Sequence, residues 1–170
     1  MKYFFVAFFI LLSPQLRAQE QAWTDKTRVL PDVLREVPEE IFIKHSPNPN
    51  YPEPSTPGDK TKYKYVWRHS TSVISMDLEL RVKFAGSYIW YNADGWKKNV
   101  FYNKKQFAKQ FNCPKGILKK GITYTFEKNY RWGDKPYGGD ALWYVIAEDE
   151  NGKLYKGMSI LETEAEVQEK

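Results

Sequence analysis

The side chains best suited to chemistry are few. His45 and His69 are the only two histidines, and Cys113 the only cysteine, in 170 residues. With Met76 or Met158 they supply the donor types of a blue-copper centre: two imidazoles, a thiolate and a thioether. In a β-sandwich such a centre gathers its cysteine, a histidine and the methionine near the C-terminal end, and no histidine follows residue 69. Both histidines therefore read as ordinary surface or loop residues, and no metal or other cofactor is expected. Nucleophilic chemistry has no better footing. His69 and Ser70 are neighbours in sequence only, no Gly-x-Ser-x-Gly elbow occurs, and no histidine follows Cys113. The thiol of Cys113 is expected to be buried, as free cysteines often are. Glu127, Asp134 and Asp140 could supply the paired carboxylates of a glycoside hydrolase, but acids beside turns are common and read as solvated. No catalytic residue is assigned. A secreted enzyme acting on glycan through these loop carboxylates stands as the alternative to a binding protein.

Two segments are suited to binding. Tyr130-Arg-Trp-Gly-Asp-Lys-Pro-Tyr-Gly-Gly-Asp140 is too long for a tight hairpin and is rich in aromatic residues and glycine. Loops on a rigid sandwich commonly carry binding residues. Arg131, Trp132, Tyr137 and Asp140 suit contacts with a sugar or a peptide. The other reading is that Trp132 and Tyr137 cap the open end of the core. The second segment, Lys97 to Lys120, holds eight lysines and no acid. Lys104 and Lys105 stand at its centre. Such a segment attracts anionic glycan or lipopolysaccharide phosphate, or it is simply a solvated helix face.

These residues need elements to hold them. Asn151-Gly152 is a strong hairpin signal, because both residues accept positive φ. Leu142 to Ala147 precedes it with no polar position on either face, so that strand should be covered on both sides. Leu154 to Leu161 follows. Upstream, Leu118 to Tyr124 reads Leu-x-x-Gly-x-x-Tyr, followed by Thr125 and Phe126. This resembles the corner before the penultimate strand of fibronectin type III and other immunoglobulin-like sandwiches. The resemblance spans Leu118–Phe126. It implies an antiparallel sandwich in which the Tyr124 hydroxyl bonds back to the backbone a few residues upstream. It implies no activity. Those domains have two strands from this point on, whereas three β-type runs are counted here.

The start of the chain reads as an export signal. Met1-Lys2 is basic, Tyr3 to Leu12 is apolar, and a polar stretch with Pro14 leads to Ala18. Ten apolar residues are too few to span a bilayer, and no later stretch approaches that length. The formal charge of +5 becomes +3 without Lys2 and Arg17. A lone cysteine in an exported chain leaves packing alone to hold the fold. From Ser46 to Lys62 five prolines exclude a regular element. The folded body then begins at about Tyr63, with Tyr63, Tyr65 and Trp67 inward. Ser70-Thr-Ser makes a break. Val73 to Phe84 shows the cleanest period of two, with Met76, Leu78, Leu80, Val82 and Phe84 on one face. Ala85-Gly86 breaks it before a short strand at Ser87 to Asn92, and Asp94-Gly95 turns the chain. Asn103 should cap a helix carrying Phe107 and Phe111 on one face. Trp67, Leu80, Trp90, Phe111, Tyr124 and Trp143 are the expected core.

The expected organisation is thus a signal at 1–18, an irregular N-terminal segment and Pro-rich linker at 19–62, a sandwich domain at 63–163 and an acidic tail at 164–170. The fold class is mainly β: an antiparallel immunoglobulin-like β-sandwich with one short inserted helix at about 103–112. The expected protein is exported, periplasmic or extracellular, and has no transmembrane segment once the signal is removed. Its partner is an envelope protein or an anionic glycan, not nucleic acid.

Overall fold

The computed structural model describes residues 29–90 and 95–168. The expected export signal and the tip of the turn at Asp94 lie outside them. In chain order the elements are helix α1 (Asp32–Arg35), strands β1 (Ile41–Ser46), β2 (Pro52–Pro54), β3 (Tyr65–Trp67), β4 (Ser70–Ser75), β5 (Leu80–Trp90) and β6 (Lys97–Asn103), helix α2 (Lys104–Gln110), then β7 (Ile117–Leu118), β8 (Thr123–Phe126), β9 (Arg131–Gly133), β10 (Gly139–Glu148) and β11 (Leu154–Thr163). The fold is mainly β, and the strand ladders are antiparallel. Among the described residues no helix is long and apolar enough to cross a membrane.

The strands form three sheets. The largest runs β11-β10-β5-β6, with β7 paired to the start of β5; the others run β1-β4-β8 and β2-β3-β9. Strand β10 is central because it has no polar position to give to water: Ala141 to Ala147 are all buried. Its Val145 and Ala147 pack with Ile41, Ile43, Val73 and Tyr124 of the β1-β4-β8 sheet, with Phe107 of α2 and with Phe111 at that helix's C-cap. Its Leu142, Tyr144 and Ile146 pack on the other face, with Leu34 of α1 and Tyr88. One strand thus anchors two apolar layers.

Helix α2 forms as its local chemistry dictates. Asn103 Oδ1 accepts from the Gln106 N–H at 3.0 Å, and Gln106 Oε1 accepts from the Asn103 N–H at 2.9 Å. Two orphan donors of the first turn are thereby satisfied reciprocally. Phe107 and Phe111 stack at 4.4 Å between centroids and are fully buried. The β10–β11 connection is wider than a two-residue hairpin. Its five residues, 149–153, wrap the Asp149 carboxylate, whose Oδ1 accepts from the Asn151 and Lys153 N–H groups at 2.9 Å each.

Four expectations are corrected. First, Val73 to Phe84 is not one strand. Strand β4 ends at Ser75 and β5 starts at Leu80. Glu40 holds the corner between them: its carbonyl accepts from Met76 N–H at 3.1 Å and its Oε1 from Leu78 N–H at 2.9 Å. Period-two alternation cannot register a corner stabilised by a residue nearly forty positions away. Second, Ser70-Thr-Ser belongs to β4, and Ala85-Gly86 does not interrupt β5. Gly86 is there because a Cβ at that position would press on the Val100 carbonyl and the Tyr144 hydroxyl. Third, the segment read as irregular at 19–62 contributes β1 and β2, so the ordered body begins well before Tyr63. Prolines are tolerated at Pro52 and Pro54 because β2 is an edge strand, bonded on one side to β3. Fourth, of the expected core residues Trp90 is only half-buried, while Trp67, Leu80, Phe111, Tyr124 and Trp143 are buried. The stretch read as an acidic tail at 164–170 is also tied down as far as it is described. The Glu164 carbonyl accepts from Trp67 Nε1 at 2.9 Å, and Gln168 N–H donates to the Pro52 carbonyl at 3.2 Å.

Candidate functional site

Strand β9 pairs with β3, setting Trp132 opposite Val66 and Arg131 opposite Trp67. This short ladder divides the segment read as one loop and brings part of it against the large sheet. The result is a cleft of about 350 Å³. One side comes from Asn99, Val100 and Tyr102 of β6 and from Trp143 of β10. The other comes from Asn129, Tyr130, Arg131, Trp132 and Tyr137. Tyr63, Ile89 and Phe126 complete it.

The aromatic rings are held by one another. Trp143 lies nearly parallel to Tyr102, at 6.4 Å and 26°. Trp132 meets Tyr130 edge-on at 6.1 Å, and the Arg68 guanidinium sits over the Tyr130 ring at 5.4 Å. Arg68 is itself fixed by Asp59 at 2.7 Å and Glu53 at 3.4 Å. Its charge and hydrogen bonds, together with the Thr56 backbone, hold the Asp59 carboxyl below the ordinary range, the Thr56 bond being the largest cause. Tyr137 packs on the buried indole of Trp67 at 4.3 Å. The two expected roles of the loop aromatics are therefore divided: Tyr137 covers a core residue, whereas Trp132 flanks the cleft.

Three of the expected site residues, Arg131, Trp132 and Tyr137, come together here. Asp140 does not line the cleft; it is the second residue of β10, opposite Glu162 and Trp90. Lys104 and Lys105 do not line it either, since they open α2. The Lys104 stem lies against Gly116, where it would crowd an added Cβ, and the positive φ of 63° there also favours glycine. The lysine segment is spread over β6, α2, a 3-10 turn at Pro114–Gly116 and β7, and Lys120 pairs with Asp77 at 3.3 Å.

Behind the cleft lies a buried polar network that sequence reading missed. His45 and His69 are not surface residues; they are 5% and 2% exposed. The alternation of β1 turns Ile41, Ile43 and His45 inward together. Asn129 Nδ2 donates to Thr71 Oγ1 at 2.8 Å, and Thr71 Oγ1 lies 2.9 Å from His45 Nδ1. The Thr71 hydroxyl thus joins the Asn129 amide to the His45 ring. Asn50 Nδ2 donates to His69 Nδ1 at 3.1 Å, and Asn129 N–H donates to the His69 carbonyl at 3.1 Å. The two rings meet edge-to-face at 6.3 Å, and His45 lies 6.4 Å from Trp143.

Both imidazoles are neutral. Burial pushes His45 down to about 4; the nearby Ser159 backbone opposes this, and the Arg131 charge adds to it. Burial, then Arg131, then His45 push His69 down to about 3, against the Trp67 backbone. A guanidinium beside two histidines is a poor setting for a cation. Among the described residues no three His, Cys, Asp or Glu side chains gather as metal ligands. Cys113 is buried in the other core, with Sγ donating to the Ile117 carbonyl at 3.3 Å. Burial pushes its thiol up to about 11, the opposite of the lowered setting that makes a reactive thiolate.

The cleft therefore offers aromatic faces, two amides and one guanidinium. Asn99, Asn129 and Tyr102 carried no signal in the sequence, because their place depends on which strands meet. No known protein family, curated protein or solved structure matches this chain.

Proposed function

We propose that this is an exported, non-enzymatic binding protein of a bacterial cell envelope, built on an immunoglobulin-like sandwich, whose aromatic cleft takes glycan. The observation that carries the reading is the convergence of Trp132, Tyr137, Tyr102 and Tyr63 with Asn99, Asn129 and Arg131 around one cleft of about 350 Å³. Aromatic faces receive the C–H faces of sugar rings, while amides and a guanidinium meet hydroxyl groups. Export is supported by the basic, apolar and polar order of residues 1–18. The sandwich reading is supported by the packing of the β1-β4-β8 sheet on the large sheet. The Tyr124 hydroxyl supports it too, accepting from the Lys119 N–H at 3.4 Å. Glu127, Asp134 and Asp140 do not line the cleft, so hydrolysis by paired carboxylates finds no support there.

The test is binding of the purified mature protein to a panel of immobilised neutral and acidic polysaccharides, with Trp132→Ala as the decisive variant. Trp132 is half-buried on a short strand. Its loss should weaken binding at least about tenfold while stability changes by about 1 kcal/mol or less. Tyr137→Ala should weaken binding and also cost about 1–3 kcal/mol, because it uncovers Trp67. Retention of no polysaccharide, or full retention by Trp132→Ala, would overturn the reading.

A further inference from the structure

The two amides in the cleft wall are each tied by the nitrogen. Asn129 Nδ2 donates to Thr71 Oγ1 at 2.8 Å, and Asn99 Nδ2 donates to Ser87 Oγ at 3.1 Å. Thr71 and Ser87 are 1% and 2% exposed, in β4 and β5, so both anchors are fixed in the sheets. The anchor for Asn129 is itself held, since Thr71 is bonded to the buried His45 ring. An amide held by its nitrogen presents its oxygen, and that oxygen can only accept. The side-chain hydrogen bonds that tie Asn99 and Asn129 to the sheets both run through the amide nitrogen. The cleft thus shows a ligand two fixed acceptors between aromatic walls.

The geometry points to Asn99 and Asn129 as the residues that select the ligand, and to a neutral saccharide with free hydroxyls as the class selected. This rests on the glycan reading above. The argument is one of matching donors to acceptors. A hydroxyl donates to an amide oxygen, whereas a carboxylate or sulfate would set its own lone pairs against that oxygen. The pyranose ring, apolar on its C–H face and rimmed by O–H donors, presents both requirements in one unit. Arg131 then serves as a donor to a ring or hydroxyl oxygen. Thr71 is a positioning residue: it touches no ligand but fixes which end of the Asn129 amide faces outwards.

The experiment is calorimetric titration of the full mature chain. The probes are neutral oligosaccharides, their uronate-containing counterparts, and monodeoxy analogues of the tightest neutral binder. Asn99→Ala and Asn129→Ala should each weaken binding about tenfold, the loss of one well-placed hydrogen bond. One deoxy analogue should bind the native protein about tenfold less well, yet bind the matching variant no worse than the parent sugar does. Thr71→Val should lose this discrimination, and Thr71→Ser, which keeps the oxygen, should retain it. Asn129 is buried, so its variant may only be compared if it still melts cooperatively; Asn99 is exposed and carries the test by itself. Binding within twofold of native in Asn99→Ala, or a uronate probe bound tenfold more tightly than its neutral counterpart, would overturn this inference and leave the glycan reading standing. If no saccharide binds, both fall.

Discussion

His45 and His69 show how little a residue type says about its setting until its strand is placed. As the only two histidines in the chain, they read first as possible ligands and then as surface residues. The structure makes them buried, neutral rings behind the cleft. The signal was present in the period of Ile41, Ile43 and His45, but proline-rich sequence nearby masked the strand. Their burial makes stability depend on pH. The folded state holds both below the ordinary value of 6.5, at about 4 and about 3. The unfolded chain therefore binds more protons as pH falls below about 6.5. Stability from these groups is complete above that pH and is lost progressively down to about 4 for His45 and about 3 for His69. Between pH 7.5 and pH 5 each ring should cost on the order of 2 kcal/mol. Urea unfolding at the two pH values should show this as a lower midpoint at pH 5. Equal midpoints would mean the rings are already solvated.

At the scale of elements, legibility followed the range of the interactions that build each one. Helix α2 was readable because Asn103, Phe107 and Phe111 act within two turns. Strand β10 was readable because seven buried residues in a row leave no face for water. The corner between β4 and β5 was not readable, because the groups that cap it belong to Glu40. Likewise the cleft required β9 to be recognised inside a glycine-rich loop, where three residues gain a ladder only by pairing with β3. The corner makes a sharp prediction. Met76 and Leu80 share one face in the period-two reading, but Met76 is 53% exposed on the corner and Leu80 is 1% exposed in β5. Leu80→Ala should cost about 2–5 kcal/mol, and Met76→Ala less than about 0.5 kcal/mol. Equal losses in denaturant unfolding would restore the single long strand.

Across the whole molecule, the segments on either side of the sheets act as straps. Lys156, buried in β11, donates from Nζ to the Leu34 carbonyl at 2.6 Å, which fixes α1 over the large sheet. Asn48 Nδ2 donates to the Ile160 carbonyl at 3.0 Å, and Asn50 N–H donates to the Glu162 carbonyl at 2.9 Å. Glu164 and Gln168 continue the same seam to Asn50, Trp67 and Pro52. Ending the chain after Thr163 should therefore lower stability by about 1–3 kcal/mol, from the hydrogen bonds and the cover over Trp67 that are lost. An unchanged urea midpoint would show that the seam contributes nothing. The mainly β class was legible in the sequence, but these straps were not, because each joins residues that carry no local mark of their partner.

That seam also sets an order of events. Asn48 and Glu162 are bonded across 114 positions of chain, and β1 lies along the same side of the molecule as β11. Contacts this far apart form slowly, since a long loop must close before anything rewards it. During synthesis β1 can pair with β4 as soon as that strand emerges, but the Asn48–Asn50 segment must wait for β11 before its partners exist. A nascent chain therefore holds its first sheet ready while the seam that locks it stays open until the last strand is made.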